Sequence, residues 1–152
     1  MADDFRSSGI PANSVLLGYG PMLPLVAAGL AAWLLPQPWP FWAVQSGLLW
    51  GAMILIFIAG VRRGYGFGRR EASTGAGIGA SLLYFALAGI ALVVARSSVA
   101  LLVLTLGYAL AALLDRRAAL AGNAPAFATL RPRQLLIGAG GLALLFAWTV
   151  SR

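Results

Sequence analysis

Residues 41–70 read FWAVQSGLLWGAMILIFIAGVRRGYGFGRR, an uncharged stretch that meets a basic one at Arg62. From Phe41 to Val61 there is no charged side chain. A helix of that length rises about 30 Å, the thickness of a bilayer's hydrocarbon core. An α-helix satisfies its own backbone N–H and C=O groups, so this segment can cross lipid where no water is available to do so. Arg62 and Arg63 then mark the point at which the chain returns to the headgroups.

Four more segments share this character. Val15 to Leu35 is apolar, with Pro21 and Pro24 inside it, so regular helix is expected to be kinked there or to begin near Pro21. The others run from about Gly77 to Ala95, Ser98 to Leu114, and Leu135 to Val150. Only Arg96 and Ser97 separate the third from the fourth, which predicts a tight helical hairpin. The expected fold is an all-α polytopic bundle of five transmembrane helices over 15–150, behind a polar tail at 1–14. The tail, MADDFRSSGIPANS, carries its acids ahead of one Arg, unlike a secretory signal, so the first apolar segment is expected to be retained.

Composition points the same way: of 152 residues, 61% are hydrophobic and only 10% charged, well below the charge of a soluble domain. The net charge of +7 comes from eleven Arg and no Lys, set against Asp3, Asp4, Glu71 and Asp115. Nine of those arginines, at positions 6, 62, 63, 69, 70, 116, 117, 131 and 133, fall on one predicted side, and only Arg96 and Arg152 on the other. The positive-inside rule then puts the N-terminus in the cytoplasm and the C-terminus outside. Such clustering explains the charge through topology and lipid, and no nucleic acid partner is expected. Around the PQPWP turn at 36–40, Trp33, Trp39 and Trp42 suit the opposite headgroup boundary.

The chain contains neither Cys nor His. That removes thiolate chemistry, His-ligated metals, haem held by His or Cys, and a Ser-His-Asp triad, so no catalytic set, metal or other cofactor is expected.

Three groups of residues remain as candidate sites. Asp115 adjoins the end of the fourth span, on the predicted side of Arg62, Arg63 and Arg116. A salt bridge there locks helix ends; the same residues can be read as a gate, although proton relays usually sit nearer the bilayer centre. Arg69, Arg70, Arg117, Arg131 and Arg133 are expected to contact anionic lipid headgroups, and GYGFG at 64–68 lacks the Lys-Ser/Thr ending of a nucleotide loop. Gly47, Gly51, Gly60, Gly64 and Gly138 are expected to let helices approach closely, together with Gly75, Gly79 and the rest of GAGG at 138–141. Gln45, Ser46, Ser81, Tyr84, Thr105 and Tyr108 are the polar groups within spans, expected to hydrogen-bond between helices.

The order LLGYGPMLPLVAAGL, ILIFIAGVRRGYG and LTLGYALAALLDRR, followed by a Pro- and Arg-containing loop and a last apolar span, resembles domain-of-unknown-function family 3429, the transmembrane protein 69 family. The resemblance covers roughly residues 15 to 150 and is most recognisable at Gly60–Gly64 and Leu114–Arg117. Ala59 stands where the family pattern has a second glycine, and Arg63 where it has an aromatic residue. The resemblance implies a multi-span protein of the bacterial inner membrane or its mitochondrial counterpart, without a settled activity. An accessory, assembly or scaffold role within a larger membrane complex is the leading expectation, and a small transporter or channel, working alone or as an oligomer, the alternative.

Overall fold

The computed structural model describes residues 18–64, 75–120 and 130–152, and everything described is helix or short connection. The tail at 1–14, the first residues of the predicted first span, and Arg69 and Arg70 with their glycine-rich loop lie outside the described residues. A 3-10 turn at Gly20–Met22 leads into α1, Leu23–Leu34; then follow α2, Trp39–Gly64, α3, Gly75–Val93, α4, Ser97–Leu120, and α5, Arg131–Val150. Four helices are long and apolar enough to cross a membrane, the signature of a multi-pass membrane protein. The apolar run Gly20–Leu34 is shorter, and at 1.5 Å per residue it rises only about 22 Å.

Prolines set three of the helix starts. Pro24, Pro40 and Pro132 each occupy the second residue of α1, α2 and α5. The missing N–H costs nothing in a first turn, because the donors there have no intrahelical partner. Two boundaries expected from sequence change accordingly. Trp39 and Pro40 belong to α2 instead of the connector, and Arg131, Pro132 and Arg133 form the first turn of α5 instead of an interfacial loop. The fourth span also continues as helix through the charged triplet to Leu120, so Asp115 lies within α4 and not beyond its end.

Each helix packs on its neighbours in sequence, and α5 returns to pack on α1, closing a ring in which α2 touches every other helix. Lipid tails are as apolar as leucine, so helices in a bilayer are held by close packing more than by the hydrophobic effect. Helices α1 and α5 approach backbone to backbone. A Cβ placed on Gly141 would lie 2.5 Å from the Leu25 carbonyl oxygen, and one on Gly29 would lie 2.9 Å from the Gly141 carbonyl oxygen. Backbone meets backbone there, and only glycine leaves the room. Gly138 admits Met22 and Tyr108 in the same way, at 2.8 Å from its hypothetical Cβ, while Gly47 and Gly51 receive Leu145 and Leu142 from α5. Gly60, Gly64, Gly75 and Gly79 play no such part, since a Cβ on any of them would meet nothing within 4 Å. Their spacing resembled a packing motif, but their helix face points away from the bundle.

Indole and phenol groups tie the ring across helices. Trp33 Nε1 donates to the Leu144 carbonyl at 3.0 Å, joining α1 to α5, and Trp50 Nε1 donates to the Pro21 carbonyl at 2.8 Å. Tyr108 O–H, fully buried, donates to the Gly51 carbonyl at 3.0 Å. Of the polar residues expected to link helices, only Tyr108 is seen doing so. Ser46, Ser81 and Thr105 bond carbonyls three or four residues back on their own helices, the partner a short hydroxyl reaches most easily, and Gln45 is exposed.

Gly141→Ala should destabilise the bundle by about 1–3 kcal/mol, because the methyl group meets backbone that cannot swing away. Gly140→Ala, with open space around its Cβ, should be neutral or gain up to about 1 kcal/mol of helix propensity. Denaturation of both variants in mixed detergent micelles, followed by tryptophan fluorescence, checks the difference.

Candidate functional site

Side chains from four helices converge on Asp115. Its carboxylate is 6% exposed and is ion-paired to Arg62 at the end of α2, while Arg131 Nη1 in the first turn of α5 stands 3.6 Å from Asp115 Oδ2. Arg62 and Arg131 are themselves mostly covered, at 19% and 14% exposure. The α3 contribution is Tyr84, fully buried, with the Arg62 guanidinium 5.8 Å from its ring centroid. Burying a carboxylate is costly unless cations stand beside it, and two are supplied. At 3.6 Å the Arg131 contact is electrostatic and exceeds hydrogen-bond reach, so Arg62 is the principal partner.

Arg63 and Arg116 lie on the outer faces of α2 and α4. Both are exposed, each one residue and so about 100° round its helix from the residue that points inward. Arg131, expected at a lipid headgroup, takes the place they were expected to fill, because α5 begins early enough to carry it inward. Arg117 and Arg133 are exposed at the same end. Sequence reasoning also missed Gln134, a buried amide one turn into α5 that packs against Gly18. The Leu130–Arg131–Pro132 sequence held the clue: a proline one residue after an arginine starts a helix with that arginine in its first turn.

Beside the cluster a cavity of about 530 Å³ opens on the flank of the bundle between the 3-10 turn, α2 and α5. Its wall is mainly apolar, formed by Met22, Trp50, Met53 and Phe57, and polar groups enter it at Arg131 and Gln134. Met53, Phe57 and Trp50 are exposed, so the opening faces whatever surrounds the protein. At the far end of the bundle Trp33, Trp39 and Trp42 are exposed around the α1–α2 turn, and Arg152 stands 6.0 Å from the Trp148 ring.

No known protein family, curated protein or solved structure matches the chain. What the site can do therefore has to come from its own chemistry. Among the described residues no three His, Cys, Asp or Glu side chains stand together to hold a metal. The cluster offers charge neutralisation and helix locking. Tyr84 O–H and Arg62 Nε have no hydrogen-bond partner among the described residues, which gives the cluster capacity for one more acceptor.

Asp115→Ala should destabilise the fold by about 3 kcal/mol or more, since it leaves two mostly buried guanidinium groups without their carboxylate. Arg116→Ala and Arg117→Ala, both exposed, should stay within about 0.5 kcal/mol of wild type. Parallel melting curves in one detergent decide this, and equal losses at Asp115 and Arg116 would contradict the assignment.

Proposed function

We propose that this chain is a non-enzymatic accessory, assembly or scaffold protein of an energy-transducing membrane, working beside a larger complex. The observation that carries this reading is how the bundle divides its surface. Its interior is filled by fully buried Leu25, Leu55, Leu104, Tyr108 and Leu142, while large apolar side chains point outward on every helix. On α3 the inward stripe is small apart from Tyr84, with Ala80, Ser81, Ala88 and Ala91, and the outward face carries Leu82, Phe85, Ile90, Leu92 and Val93. A filled axis suits a protein that acts through its surface more than through a pore. The resemblance to domain-of-unknown-function family 3429, with its mitochondrial member, supports an energy-transducing membrane.

The reading includes orientation and place. The N-terminus lies in the cytoplasm of a bacterial inner membrane, with the C-terminus in the periplasm, because nine arginines belong to one side and two to the other. Anionic lipids face the exposed Arg63, Arg116, Arg117 and Arg133.

A small transporter or channel is the second reading, favoured by one feature, the charge cluster with its unmatched Tyr84 and Arg62 donors at one mouth of the bundle. In that case an Asp115→Asn change abolishes flux in liposomes while the protein still folds.

Purification of the tagged protein from its native membrane in mild detergent, with mass spectrometry of what accompanies it, separates the two. The accessory reading expects a reproducible, near-stoichiometric membrane partner. A partner-free preparation that conducts a solute in liposomes would overturn it.

A further inference from the structure

We propose that the flank cavity between the 3-10 turn, α2 and α5 is a binding site for one acyl chain of an anionic phospholipid, with the lipid phosphate at Arg131. Depth, position and polarity carry the proposal together. Along α2 the wall extends from Ile58 to Trp50, eight residues, which is about 12 Å of helix. Half of a hydrocarbon core is about 15 Å. The cavity thus reaches from the charged end of the bundle through most of one leaflet and no further. Its volume of about 530 Å³ lies within the range of cavities that enclose small ligands.

The polar groups are placed where a lipid's polar groups would be. Arg131 lies in the first turn of α5 beside the ion cluster, and Gln134 follows one turn deeper, whereas Met53, Trp50 and Met22 line the part nearer the membrane centre. A guanidinium has five N–H donors in a planar fork, a geometry that serves several anionic oxygens at once, carboxylate and phosphate alike. Trp50 cannot move freely to fill the space, because its indole N–H is held by the Pro21 carbonyl at 2.8 Å. Methionine supplies adaptable walls at Met22 and Met53, suited to a chain with many rotamers.

An acyl chain gains nothing by leaving one apolar medium for another, so the site's selectivity rests on the headgroup and on the fit of the chain. This separates it from the general attraction of anionic lipid to exposed arginines, which needs no cavity.

The test is native mass spectrometry of the delipidated protein titrated with phosphatidylglycerol or phosphatidylcholine of the same chain length. Wild type should take up one phosphatidylglycerol at about tenfold lower concentration than phosphatidylcholine, equivalent to about 1.4 kcal/mol. Met53→Trp, which fills the opening from an exposed position and leaves the ion cluster untouched, should lose that first adduct for both lipids. Arg131→Gln should remove the preference for phosphatidylglycerol. An undiminished first adduct on Met53→Trp would overturn the proposal, as would a preference lost instead in an Arg116→Gln, Arg117→Gln double variant. A lipid-free dimer dissociated by Met53→Trp would also overturn it, giving the cavity to a second copy of the chain.

Discussion

Helices α1 and α5 meet backbone to backbone at Gly29, Gly141 and Leu25, and that contact closes the five-helix ring. In water such a bundle could rely on the burial of apolar surface; in lipid the surroundings are equally apolar, and helix association depends on how closely atoms pack. The α1 helix has only 12 residues, too few to be held by span length alone. It is held by glycine on both sides of the contact and by the indole bonds of Trp33 and Trp50 at its two ends. With α1 in place, Met22 reaches Gly138, Tyr108 packs on the same glycine, and its hydroxyl reaches Gly51 on α2. The packing of one short helix is thereby transmitted to the middle of the bundle.

At the arginine-bearing end the constraint is electrostatic. Asp115 sits a little inside its helix instead of at a free end, where water would have hydrated it, and is instead enclosed by Arg62, Arg131 and Tyr84. Bringing those groups together requires α2, α3, α4 and α5 to pack in a fixed register. A buried ion pair is weak evidence for net stability, but removing one partner from it is strongly unfavourable. The cluster therefore penalises a slipped or wrongly inserted helix more than it rewards the correct one. The flank cavity exists for the same reason: α5 is drawn inward at Arg131 while Trp50 holds the 3-10 turn against α2, leaving open the space between them.

Those two constraints give the surface its functional character. Interior contacts are made largely by Gly, Ala and a few large side chains, whereas Leu, Phe, Ile and Val of α3 and Phe57 of α2 face outward. Such a distribution leaves little room inside and much apolar area outside. Exposed tryptophans surround the α1–α2 turn, and exposed arginines gather at the opposite end.

The sequence by itself determined the helical class and its multi-pass membrane character, because length, charge and proline act locally and lipid penalises every exception. It also exposed Gly47, Gly51 and Gly138 as places of close approach, although the same spacing wrongly included Gly60 and Gly64. Whether a glycine faces another helix or lipid is invisible until the helix is rotated into the bundle. Arg62 with Asp115 was legible from their common side, but the third member was not. Arg131 lies sixteen residues beyond Asp115 across a connection, and only the early start of α5 at Pro132 and its packing on α4 bring the two together. The cavity was wholly beyond sequence, since its walls come from three separated elements and its volume is the space that their packing leaves between them.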